Sequence, residues 1–114
     1  EVMNVVGEVK GKTCLLVDDM VDTGGTLANA VVALCERGAR AVYAMASHPL
    51  LSGPAVERLS KVPLEELVVT NSIEVPEERR FEQLKILSVA GLLANAIQYI
   101  HSNESVSALF EEER

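Results

Sequence analysis

Cys14-Leu15-Leu16-Val17-Asp18-Asp19-Met20-Val21-Asp22-Thr23-Gly24-Gly25-Thr26 contains every aspartate of the chain. It sets them between an apolar run and the start of a helical pattern. The acidic surplus elsewhere is carried by fourteen Glu, so Asp used only as solvated charge would be scattered among them. The stretch reads as a site. It also reads as the opening of a strand, turn and helix unit, because Leu27, Ala30, Val31 and Leu34 recur at helical spacing and Gly38 stands just past Arg37 as a helix stop.

Outward from that unit the pattern repeats. Thr13 to Val17 is a short apolar run of the kind buried on both faces of a parallel sheet, and Ala41 to Ala46 is a second. Ser52 and Pro54 start a short helix through Leu59; Leu67 to Thr70 and Lys85 to Leu87 are further strands. Pro76-Glu77-Glu78-Arg79-Arg80 is a mixed-charge loop, and Leu93, Ile97 and Ile100 form the apolar stripe of a final long helix. Val2 to Val9 reads as an edge strand or a leading arm. Strands alternating with helices predict right-handed βαβ units, an α/β fold with a mostly parallel sheet in three layers, and ligands at the carboxyl ends of strands. Asp18 stands at such an end.

The chemistry of the opening stretch follows from residue type. Glycines at 24 and 25 allow close backbone approach, Thr23 and Thr26 carry hydroxyl donors, and the free N–H groups of a helix start point at an anion. Phosphate is the natural guest. A helix terminus contributes about 0.3–1 kcal/mol, so direct hydrogen bonds must supply most of the affinity. A carboxylate about 4 Å from a phosphate repels it by ~4 kcal/mol at an effective dielectric of 20, so three aspartates cannot all touch it. Asp18 and Asp19 are therefore expected to accept hydrogen bonds from sugar hydroxyls or to hold Mg²⁺ through water, while the backbone from Asp22 to Thr26 wraps the phosphate. The plainer account, an acidic turn whose Asp caps a helix, needs one Asp rather than two adjacent carboxylates.

At 114 residues and 48% hydrophobic, the chain suits one domain with a modest core. Its net charge of −7 and pI near 4.8 argue against nucleic-acid or membrane-surface binding, since no basic stripe is present. Cys14 and Cys35 lie in an apolar strand and a helix and imply no disulfide framework. Neither a signal peptide nor a run of ~20 apolar residues is visible, so a cytoplasmic protein is expected. A first residue other than Met suggests an excised or processed piece. His48, before Pro49 and without a nucleophile pattern, is expected to be a structural hydrogen-bonding residue. Asn71 and Ser72, at a strand end, are candidates for the same rim as Asp18. A phospho-receiver domain would need an Asp at the end of a later strand, and none follows Asp22. No Lys follows Gly24-Gly25 as in a Walker loop, and the dinucleotide-binding Gly-x-Gly-x-x-Gly is absent.

Asp18 to Thr26 resembles the ribose 5-phosphate loop shared by type I phosphoribosyltransferases and the ribose-phosphate diphosphokinases, or PRPP synthetases. Three further segments, Ala46 to Ala55, Val68 to Ile73 and the ending Ser105-Val106-Ser107-Ala108-Leu109-Phe110, resemble the C-terminal part of the synthetases. Ser47 and Ser72 stand where Thr is usual, and Glu74 where Pro is. The resemblance implies a phosphoribosyltransferase-like domain over residues 1–114, part of a longer enzyme, with helices on both faces of the sheet. It implies transfer of the β,γ-diphosphoryl group of Mg-ATP to the anomeric hydroxyl of ribose 5-phosphate, giving PRPP and AMP. Asp18, Asp19, Asp22, Thr23, Gly24, Gly25 and Thr26 would bind ribose 5-phosphate, with Asp18 and Asp19 reaching Mg²⁺ indirectly. ATP would be held by an N-terminal part, no catalytic residue would lie in this chain, and the piece alone would bind without turnover. Such enzymes assemble as dimers or hexamers and are regulated by phosphate and nucleoside diphosphate at a subunit interface; Ser105 and Ser107 match the ending that contributes to it. The competing readings are a nucleobase phosphoribosyltransferase, whose acidic pair usually contains Glu, and a non-catalytic PRPP-sensing or associated subunit, which tends to have a degraded loop.

Overall fold

Four parallel strands in the order of the sequence make a single sheet in the computed structural model, which describes residues 7–111. The strands are β1 (Thr13–Val21), β2 (Ala41–Pro49), β3 (Glu66–Thr70) and β4 (Leu84–Leu87). Helices α1 (Gly25–Glu36) and α2 (Ala55–Ser60) connect the first three strands, and α3 (Ala90–His101) follows β4. Short 3-10 turns occupy Glu77–Arg79 and Val106–Phe110. The arm proposed over Val2 to Val9 lies mostly outside the described residues, and residues 7–9 form no strand.

The elements start and stop where local chemistry directs. Gly38 has φ +88° and donates its N–H to the Cys35 carbonyl at 3.0 Å, ending α1 as a left-handed residue does. β1 runs four residues beyond the apolar stretch because β2 continues beside it, pairing Met20 with His48 and Val21 with Pro49. Asp18 and Asp19 therefore lie within the carboxyl-terminal half of a strand rather than after it.

The sheet has one dry face. Val42, Ala44, Ala46, Leu67, Val69 and Leu84 are buried in one cluster with Ala28, Val31, Ala55, Leu59 and Val75 from the connections. The alternate residues are exposed: Leu15, Val17, Tyr43, Met45 and Leu87, with Val17 at 72%. A right-handed crossover between parallel neighbours lies on a fixed side, so a sheet ordered 1-2-3-4 receives every connection on the same face. The α/β class and the parallel sheet agree with the sequence pattern. Helices on both faces do not occur among the described residues, because strand order never reverses. α3 does not cover the second face either. None of its residues is buried, and Leu93, Ile97 and Ile100, spaced as a helical stripe, are all more than half exposed.

Candidate functional site: an uncapped helix start at the end of the first strand

The turn from β1 into α1 borders a cavity of about 390 Å³ lined by Asp18, Asp22, Thr23, Gly24, Gly25 and Thr26, with Leu16, Val17, Met20 and Met45 as its apolar side. Six of the seven sugar-phosphate residues expected from the sequence thus share one wall. Asp19 is the exception.

The backbone of the turn is oriented from behind. The Val21 carbonyl accepts from the Leu51 N–H at 3.0 Å, the Asp22 carbonyl from the Ser52 N–H at 2.8 Å, and the Thr23 carbonyl from the Arg58 guanidinium Nη1 at 3.3 Å. All peptide bonds among the described residues are trans, so each carbonyl faces away from the N–H of the next residue. Three carbonyls turned towards 51–58 therefore direct the N–H groups of Asp22, Thr23 and Gly24 the opposite way. The helix begins at Gly25 with no side-chain cap, and its first intrahelical bond is Ala28 N–H to the Gly24 carbonyl at 2.9 Å. The N–H groups of Gly25, Thr26 and Leu27 thus have no helical acceptor. A run of such donors at a helix start is an anion cradle.

Close packing dictates the glycines. Gly24 has φ +78°, and a Cβ there would sit 3.3 Å from the Ala55 Cα and the Leu59 Cγ. A Cβ on Gly25 would meet the Arg58 Nη1 at 3.1 Å. Helix α2 thus lies directly against the turn, a proximity that no local pattern in the sequence signals.

Asp18 Oδ1 accepts the Asp19 N–H at 2.7 Å. The Asp19 carboxyl is held below its ordinary value, chiefly by its hydrogen bond with the Asp18 carboxyl, then by the Met20 N–H, with a smaller contribution from the charge of His48. Asp18 also borders a second cavity of about 160 Å³ with Ser47, Thr70 and Leu87, so it sits where two hollows meet. Among the described residues no three His, Cys, Asp or Glu side chains converge as a metal cage. Two carboxylates fit Mg²⁺ only as a site completed by water or ligand oxygens.

The neighbouring strand ends are laced together. Thr70 Oγ1 donates to the Ser47 carbonyl at 2.7 Å, Ser72 Oγ to the same carbonyl at 3.0 Å, and His48 Nδ1 lies 2.8 Å from Ser72 Oγ. His48 is a structural hydrogen-bonding residue, as its sequence context indicates. Asn71 is turned away from the rim; its Oδ1 accepts the Val89 N–H at 2.8 Å and ties β3 to the start of α3. Ser105 and Ser107 line neither cavity, and their hydroxyls lie 2.6 Å apart on the last 3-10 turn. Ser105 makes no side-chain cap there, and Phe110 is 68% exposed, so the turn neither is capped by Ser105 nor buries its aromatic ring.

A family model described as the phosphoribosyl synthetase-associated domain matches residues 1–111. The chain belongs to that family. The chain is 56% identical over 111 residues to "Ribose-phosphate pyrophosphokinase 1" of Listeria monocytogenes serovar 1/2a, covering 97% of this chain and 35% of that protein. It is 56% identical over 110 residues to "Ribose-phosphate pyrophosphokinase" of Bacillus subtilis strain 168, again covering 35% of the relative. The solved structure of phosphoribosylpyrophosphate synthetase from Mycobacterium smegmatis superposes with a TM-score of 0.85 at 52% identity, over 86% of this chain and 33% of that one. The chain thus spans about a third of the length of these relatives.

Proposed function

We propose that this chain is the ribose 5-phosphate-holding part of a ribose-phosphate diphosphokinase, a longer enzyme that transfers diphosphate from ATP to ribose 5-phosphate to form PRPP and AMP. The observation that carries the reading is the single wall formed by Asp18 and the backbone of Asp22 to Thr26, in a chain more than half identical to proteins named for that activity. The amides from Asp22 to Leu27 hold the 5-phosphate, and Thr23 and Thr26 add hydroxyl donors. Asp18 accepts from the ribose hydroxyls at the sugar end of the cavity. Asp19, beside Asp18 but outside the cavity lining, reaches the ligand through Mg²⁺ and water. Mg²⁺ would neutralise phosphate charge near the acidic pair, which otherwise repels it. Phosphoryl transfer also needs cations over the transferring group. Here ATP and those cations belong to the rest of the enzyme, and residues 1–114 form one phosphoribosyltransferase-like domain without a catalytic residue of its own.

Two further assignments rest on the resemblance of Ser105 to Phe110. The domain is the C-terminal part of its enzyme, which a native polypeptide extending well beyond Arg114 would overturn. Ser105 and Ser107 contribute to a phosphate and nucleoside diphosphate regulatory site between subunits of a cytoplasmic dimer or hexamer. Unchanged ADP inhibition in the long enzyme after Ser105→Ala with Ser107→Ala would remove that role.

Calorimetry on the 114-residue chain tests the central reading: ribose 5-phosphate binds in the presence of Mg²⁺, and no AMP forms when ATP is added. A strong preference for PRPP over ribose 5-phosphate would favour a transferase or a sensor instead. Measurable AMP formation would show that the chain holds its own catalytic groups.

A further inference from the structure

We propose that Arg58, on helix α2, is a positioning residue of the phosphate site, which it both shapes and charges from behind. This rests on the reading of the turn as a phosphate cradle and adds to it a cation contributed by a different element of the fold. Three observations converge on the side chain. Its Nη1 donates to the Thr23 carbonyl at 3.3 Å across 35 residues of sequence. That bond fixes the peptide plane whose other end is the Gly24 N–H, turned towards the cavity. Gly25 lacks the Cβ that would stand 3.1 Å from the same nitrogen, so the guanidinium occupies space a side chain would otherwise take. Lastly, Arg58 has no carboxylate partner among the described residues: the adjacent Glu57 is engaged by Lys61 at 2.8 Å.

The chain carries seventeen Asp and Glu against ten Lys and Arg, a net charge of −7. Asp18 and Asp22 line the phosphate cavity, so their charge opposes the ligand that the backbone amides attract. A fixed cation behind the turn offsets them without blocking the cavity. Arginine suits the task because its planar fork holds a donor on the carbonyl while its charge remains delocalised and permanent.

The test titrates the 114-residue chain with inorganic phosphate and with ribose 5-phosphate at low and high salt, following the backbone amide resonances of Thr23, Gly24 and Gly25. Arg58→Met is expected to weaken both ligands roughly tenfold and to flatten the salt dependence of binding. Arg58→Lys, which keeps the charge but not the fork, is expected to bind with intermediate affinity and to retain the salt dependence. Lys61→Met, an equal loss of charge three residues further along, is expected to match the parent chain. Arg58→Met binding within twofold of the parent would overturn the proposal. Equal weakening in the Met and Lys variants with unaltered salt dependence would also overturn it, since that is the signature of a merely loosened turn. A parent chain that binds neither ligand would instead sink the phosphate reading itself.

Discussion

At the scale of single residues, two adjacent carboxylates are placed differently. Asp18 lines the cavity and Asp19 does not, although the sequence presents them as one pair. Asp18→Asn is therefore expected to weaken ribose 5-phosphate binding by roughly 1.5–3 kcal/mol, about 10- to 150-fold, as loss of a charged acceptor does. Asp19→Asn should change the Mg²⁺ dependence more than the affinity for the sugar alone; calorimetry with and without Mg²⁺ separates the two. The Asp19 carboxyl lies below the usual 3.8, with Asp18 as the largest cause. Whatever depends on its charge thus persists at neutral pH and is lost only as pH falls through that lowered value. Asp18→Ala should bring the Asp19 midpoint back up, as read from its carboxyl ¹³C shift. The cluster of three Asp and two Gly was legible from composition and order alone. Arg58 was not, because a hydrogen bond spanning 35 residues leaves no periodic trace.

At the scale of elements, strand and helix existence followed from apolar spacing, whereas β1 runs to Val21 because β2 continues beside it. Burial then separates residues that look alike in sequence. Leu67 is fully buried in β3, while Leu87 in β4 is 58% exposed and Ile97 in α3 is 68% exposed. Leu67→Ala is expected to destabilise the chain by about 2–5 kcal/mol, and Leu87→Ala or Ile97→Ala by roughly 0.5 kcal/mol or less, measured as denaturant midpoints. Comparable losses at all three would mean that the second face and α3 are covered in solution. Helix α2 is short, yet it braces the β1–α1 turn through Leu59, Ala55 and Arg58. Its importance lies in where it packs, and its six residues carry no hint of that.

At the scale of the whole molecule, the sheet is half dressed. Leu15, Val17, Tyr43, Met45 and Leu87 present a contiguous apolar face of the kind a folded monomer rarely leaves bare. The chain is expected to enhance fluorescence of the apolar dye ANS, and the double substitution Val17→Ser with Leu87→Ser to reduce that signal while leaving the thermal midpoint nearly unchanged. Undiminished fluorescence would place the dye elsewhere. The sequence by itself determined the α/β class, the parallel strands and the glycine-rich turn between β1 and α1, because apolar periodicity and glycine conformational freedom are local properties of a chain. Only the tertiary structure decided that the helical connections lie on one face, that Asp19 stands apart from Asp18's cavity, and that Arg58 backs the turn. Those outcomes depend on strand order, crossover hand and the approach of distant segments, which chain connectivity permits but does not specify.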